Sequence, residues 1–163
     1  GYEADDILGT VAKKSQSQGI DVAVVSGDRD LLQLSDEHIK IRIPQTSRGG
    51  TEVKDYYPED VKREYQVTPA EFIDVKALMG DSSDNIPGVP SIGDKTATSL
   101  IAAYGSIENA YDHLEEIKPP RAQKALGEHY DMAQMSKELA ATCTDCPVEF
   151  TYEANRLNHF YQQ

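Results

Sequence analysis

The sequence contains only two cysteines, Cys143 and Cys146. That is too few for a disulfide framework, and no second pair or nearby histidine completes a four-ligand zinc site. A redox C-x-x-C belongs near a strand–helix turn, whereas this pair follows a long helical pattern and precedes Pro147. It reads as two reduced thiols in a cytosolic chain. No apolar run in these residues is long enough to span a membrane, and no signal-peptide pattern is visible among them. Positive charge is also scarce, with 16 Lys and Arg against 28 Asp and Glu and a net charge of −12. Phosphate neutralisation supplies most passive nucleic-acid affinity, so this balance excludes a simple coating protein. It suits carboxylates gathered around divalent cations, which reverse the local field, with solvated acidic surface making up the rest. The four histidines, His38, His113, His129 and His159, share no ligand spacing.

What is present is 163 residues, enough for one domain with a real core. The chain opens at Gly1 without an initiator Met and already inside a helical pattern, so it reads as a piece of something longer. Ala4, Ile7, Leu8, Val11 and Ala12 share a helical face up to about Gln18, with Gly19 as C-cap. Glu3, Asp5 and Asp6 crowd its first turn, where acids suit the helix dipole. Residues 20–26, IDVAVVS, predict a strand buried on both faces, of the kind found in parallel sheets. Asp28 and Asp30 follow at its carboxyl end, where open α/β sheets collect their binding sites. Leu31, Leu32 and Leu34 predict a brief helix.

Residues 38–43, HIKIRI, alternate as a second strand closed by Pro44, and 45–50 read as a polar loop. A helix begins at Pro58. Another begins with Thr68 as N-cap, Pro69 as first helical residue and Glu71 completing a capping box. Beyond it Gly105 ends a helix, Ser106 caps the next and Pro119-Pro120 breaks it. Residues 121–141 predict one further helical stretch and Val148–Phe150 a short strand. The fold class expected is α/β, a mainly parallel sheet flanked by helices with a helical carboxyl-terminal region. The chain divides at 1–79 and 80–163, within one compact unit.

Residues 80–97, GDSSDNIPGVPSIGDKTA, concentrate the chemistry. Asp81 and Asp84 lie three apart, so one helical turn would aim both carboxylates the same way. The prolines and Gly88 exclude ordinary helix across 86–90. A tight turn opening a helix leaves backbone N–H groups that favour phosphate, and Lys95 adds charge without reading a base. With Asp28/Asp30 and Glu3/Asp5/Asp6 this makes three acidic groups from separate elements. Two-metal phosphoryl chemistry needs several carboxylates, which would repel one another without cations.

GYEADD, VVSGDRDLLQL and LMGDSSDNIPGVPSIGDKTA, in this order and spacing, resemble the 5′ nuclease family. The likeness is greatest to the 5′–3′ exonuclease domains of bacterial DNA polymerases, which are related to flap endonucleases and share a PIN-like core. The resemblance implies a DNA phosphodiesterase of replication and repair, acting near 5′ ends at a flap, nick or free end with two divalent cations, Mg²⁺ or Mn²⁺. It implies that Glu3 and Asp5, with Asp6, serve one ion and that Asp28, Asp30, Asp81 and Asp84 serve the other. Residues 86–97 resemble a helix–three-turn–helix that grips duplex backbone and seats K⁺, with Gly88, Ser91, Gly93, Lys95 and Thr96 at its matching positions. Ser91 stands where the family commonly has glycine, which strains the turn if φ is positive. Also implied are a polymerase domain on the same parent chain and a cytoplasmic, nucleoid-associated location without membrane contact. The likeness begins part-way through the family's pattern, so the chain is expected to lack the family's amino-terminal strand, further aspartates and basic arch. The alternative reading is therefore a duplex-DNA-binding module that does not cut.

Overall fold

The computed structural model describes residues 3–142 and 144–147. The expected helical start at Gly1, the Cys143 half of the C-x-x-C, the strand at Val148–Phe150 and His159 fall outside the described residues. Helix α1 (Ala4–Ser17) leads to strand β1 (Val22–Val25), a 3₁₀ turn (Arg29–Leu34), and strands β2 (Ile39–Ser47) and β3 (Gly50–Tyr56). Helices α2 (Pro58–Tyr65) and α3 (Pro69–Met79) follow, then a second 3₁₀ turn (Ser82–Asp84). The remaining helices are α4 (Asp94–Tyr104), α5 (Ile107–Asp112), α6 (Pro120–Glu128) and α7 (Tyr130–Ala140).

The α/β class and the helical carboxyl-terminal region are as expected, but the sheet is mixed. β1 pairs in parallel with β2, whereas β2 pairs antiparallel with β3. The residues read as a polar loop form the end of β2 and a two-residue turn at Arg48-Gly49, and β2 continues through Pro44. β3 escaped notice because its sequence, GTEVKDY, is polar and only Tyr56 is buried. Cross-strand pairing, with Arg42 Nε donating to Asp55 Oδ1 at 2.9 Å, holds it in register. β1 is not buried on both faces. Val24 is buried against α1 and the Leu31/Leu32/Leu34 turn, whereas Ala23 and Val25 are exposed, because alternate side chains point to opposite faces and the packing covers only the Val24 face of β1.

The capping signals hold. Thr68 Oγ1 accepts from the Glu71 N–H while the Glu71 carboxylate accepts from the Thr68 N–H at 2.9 Å. Ser106 Oγ accepts from the Asn109 N–H, and Gly105 ends α4 in a left-handed conformation. The predicted helix over 121–141 is two helices, broken at His129, which has left helical geometry at φ −121°. Gly127, a poor helix former just before the break, packs under Leu114.

Two apolar clusters result. One joins α1, the sheet and the Leu31/Leu32/Leu34 turn, as the alternation of Ile39, Ile41 and Ile43 on β2 dictates. The other joins α3 to α4–α7 through Leu78, Ile101, Ile107 and Leu126. Tyr65 and Phe72 pack against both clusters and meet edge to face at 5.4 Å. Helix α3 is thereby held against the 3₁₀ turn that follows β1.

Candidate metal centre

The chain leaves β1 at Val25 and turns at once into the first 3₁₀ turn. Asp28 caps it, its Oδ1 accepting from the Asp30 N–H at 2.9 Å. That local bond fixes the spacing of the two aspartates and leaves the Asp30 side chain pointing at α3. Asp81 and Asp84 come from the other direction. Asp81 and Ile86 exchange both backbone hydrogen bonds, each 2.9 Å, pinching residues 82–85 into a 3₁₀ turn. Asp81 caps this turn, Oδ1 accepting from the Ser83 N–H at 2.9 Å and from its hydroxyl at 2.5 Å.

These turns meet. Carboxylate oxygens of Asp30, Asp81 and Asp84 lie within 4.8 Å of one another. That is the span over which one cation can touch all three, and a hard all-oxygen donor set suits a divalent ion. The ammonium of Lys76, from α3, contacts all three: Asp30, Asp81 at 3.1 Å and Asp84 at 3.0 Å. Its side chain is 5% exposed.

Asp5 lies against Asp28, so the acidic turn of α1 joins the same assembly. Glu3, Asp5, Asp6, Asp30, Lys76 and Asp84 line one cleft of about 540 Å³, closed on the far side by Glu138 to Thr142. Asp6 also serves α1 itself, its Oδ2 accepting from the Glu3 N–H at 3.2 Å. The gathering shows in the acidities. Burial, then the Asp28 carboxylate, raises Asp5 above its ordinary value. Burial pushes Asp30 up to about 6 against the pull of Lys76, with Asp84 adding to the rise. Asp81 goes the other way, drawn down to about 2 by the Ser83 hydroxyl and then Lys76. Burial opposes the charge on Lys76, but Asp30, Asp84 and Asp81 outweigh it and hold the ammonium above its usual range.

All seven sequence-predicted carboxylates are thus connected. The residues of 86–97 separate. Gly88 is buried with φ +69°, and its N–H donates to Ser136 Oγ at 3.0 Å. Ser91 is exposed and adopts φ +70°, the strained turn that its replacement of glycine implies. Gly93 caps α4 in extended geometry, with Lys95 exposed and Thr96 half-buried. Lys95 lines a cleft with Glu64, Tyr65 and Gln66, while Ser91 lines a different one of about 320 Å³ with Arg121 and Lys124.

Three residues escaped the sequence reading. Lys76 looks like an ordinary helical lysine, and only its place among the apolar neighbours Val75, Ala77 and Leu78 hints at burial. Arg121 and Lys124 are one helical turn apart on α6, a spacing visible in the sequence, but their approach to Ser91 is tertiary.

Comparison with known proteins decides the family. The model of "5'-3' exonuclease, N-terminal resolvase-like domain" matches residues 1–66, and that of "5'-3' exonuclease, C-terminal SAM fold" matches residues 67–163. The chain belongs to the 5′–3′ exonuclease family. Within this family it is 47% identical over 152 residues to DNA polymerase I of Bacillus caldotenax, a match covering 93% of the chain and 17% of the relative. It is 48% identical over 162 residues to DNA polymerase I of Bacillus subtilis, covering 99% and 18%. The chain therefore spans less than a fifth of these curated relatives. Among solved structures, T5 5′-exonuclease with bound divalent zinc ions superposes with a TM-score of 0.74 at 26% identity, covering 88% of this chain and 51% of that one. A T5 flap endonuclease solved as a pseudo-enzyme-product complex with DNA and metal ions matches equally, at TM-score 0.74 and 26% identity with the same coverage. No helix among the described residues is long and apolar enough to cross a membrane.

Proposed function

We propose that this 5′–3′ exonuclease family chain contributes metal-binding carboxylates and a DNA-gripping region to a two-metal phosphodiesterase that cuts DNA near 5′ ends, at a flap, nick or free end. The observation that carries the reading is the convergence of Asp30 with Asp81 and Asp84, more than 50 positions further along the sequence, within 4.8 Å. Asp30, Asp81 and Asp84, with Asp28 beside them, hold one divalent ion, Mg²⁺ or Mn²⁺. Glu3, Asp5 and Asp6 serve the other across the same cleft. Such ions, when bound, polarise the phosphoryl group and make a water acidic enough to attack at neutral pH.

The chain's own residues do the positioning. The Asp28 cap fixes Asp30, the Ser83 contacts fix Asp81, and the cleft is open enough for a phosphodiester to lie across the carboxylates. A division at 79/80 separates the α/β part that supplies Glu3 to Asp30 from the loop and helices that grip the DNA. Ser91, Gly93, Lys95 and Thr96 touch the duplex backbone, and Arg121 and Lys124 extend that contact beside Ser91. K⁺ would be held by backbone oxygens of the sharply turned segment around Gly88 and Ser91. A polymerase region on the parent chain accords with the relatives' name, and a cytoplasmic, nucleoid-associated site of action follows from the same reading.

The test is Asp30→Asn and Asp84→Asn, with Mn²⁺ binding followed by calorimetry and cleavage followed on a 5′-flap duplex. Loss of Mn²⁺ binding and of cleavage with DNA affinity retained supports the reading. Unchanged Mn²⁺ binding in both variants refutes it, and DNA binding without cleavage in the unaltered protein would mark a duplex-binding module instead.

A further inference from the structure

Lys76 is the one cation among the described residues that touches Asp30, Asp81 and Asp84 together. Its stem is buried where α3 passes between the two apolar clusters, so its reach is directed by the fold and not by a search through solvent. An ammonium has three N–H donors and no acceptor, and here it faces three carboxylates that arrive from two different turns. The same three residues are the ones among the described residues whose carboxylate oxygens converge closely enough to share one cation. Three carboxylates brought this close without a cation would repel strongly in a half-buried site.

We propose that Lys76 is the resident counter-ion of this cluster, occupying the seat of one divalent ion and competing with it for the same oxygens. The inference rests on the metal reading above and deepens it. Lys76 is a positioning residue: it keeps the seat assembled in the absence of metal and sets how tightly that one ion is held. With a divalent ion bound, Asp30, Asp81 and Asp84 would hold it, and the Lys76 ammonium would withdraw on its flexible four-carbon stem. The space for that withdrawal is a neighbouring cleft of about 270 Å³ bordered by Lys76 itself, Arg29 and Tyr65, with Asp81 and Asp94 as its nearby carboxylates.

The test compares the unaltered protein with Lys76→Met, which keeps the buried stem and removes the charge. Mn²⁺ binding is measured without DNA, by the loss of the free-ion paramagnetic signal, and thermal unfolding is followed in chelator and in Mn²⁺. The expected result is Mn²⁺ affinity increased about tenfold or more in the variant, since a competing unit charge has gone. Its melting temperature should be lowered in chelator and restored by Mn²⁺. A second measurement needs no variant: the protected Lys76 side-chain ammonium resonance should disappear or shift as Mg²⁺ saturates the unaltered protein. Affinity unchanged or weakened in Lys76→Met, or an ammonium signal indifferent to Mg²⁺ in a protein that binds it, overturns the role of Lys76 and leaves the metal reading standing. No Mn²⁺ binding in either protein overturns both.

Discussion

Gly80 and Gly88 pack backbone against backbone at the base of the loop that carries Asp81 and Asp84. A Cβ built on Gly88 would lie 2.6 Å from the Gly80 nitrogen, and one on Gly80 would lie 2.9 Å from the Ile86 and Pro87 carbonyl oxygens. Both residues also have positive φ, +75° and +69°. This contact closes the loop that carries Asp81 and Asp84, and only glycine fits on either side of it. Gly88→Ala should therefore destabilise the protein by about 2 kcal/mol or more, combining strain with forced separation of the two segments. Denaturant unfolding measures the loss, and Mn²⁺ affinity should fall with it because the two aspartates move away from Asp30. A variant of unchanged stability would show that the loop closes some other way.

Asp74, on α3 and 5% exposed at its side chain, is neutralised by Lys137 of α7 at 2.9 Å, and Lys137 also meets Glu108 of α5 at 3.0 Å. Removing the cation leaves a buried carboxylate without a counter-charge. Lys137→Met should cost about 3–5 kcal/mol by chemical denaturation, and adding Asp74→Leu should return much of it. A loss below about 1 kcal/mol would indicate that water reaches Asp74 and screens it.

Asp30 gives the metal-free protein a pH dependence of definite sign. Its folded value of about 6 lies above the ordinary 3.8, chiefly through burial. The folded state thus holds this proton more tightly than the unfolded chain does. Its contribution to stability is fully present below the ordinary value and is lost as pH rises through about 6. In chelator, the stability difference between the unaltered protein and Asp30→Asn should change across that window and be flat above it. A divalent ion competes with the same proton, so Mn²⁺ affinity should drop as pH falls below about 6. A difference curve without slope between pH 4 and 6 would contradict the burial of this carboxyl.

Arg121 and Lys124 stand beside the strained Ser91 turn with their side chains free to meet phosphate. Arg121→Ala and Lys124→Ala should each weaken duplex binding irrespective of sequence and reduce the slope of affinity against salt by roughly one charge. Binding isotherms at several salt concentrations measure this. Lys95→Ala provides the parallel measurement on the neighbouring cleft, and a slope altered by Lys95 alone would confine the interface to the start of α4.

Local physics made much of this protein legible from its residues. Capping boxes, glycine stops and 3.6-residue periodicity depend on neighbours a few positions away, so α1 to α5 and the caps at Thr68 and Ser106 were foreseeable. The three acidic groups could likewise be found by their spacing and by the motifs that carry them. β3 could not, because a polar strand with one buried side chain is stabilised by its hairpin partner rather than by its own pattern. The break at His129, the exposed face of β1 and the inward turn of Gly88 depended in the same way on what lies alongside. Nor could any pattern in the chain say that Lys76 sits among Asp30, Asp81 and Asp84. A lysine's partner is decided by where its stem emerges from the packed core, and that is settled only when α3 docks against both apolar clusters.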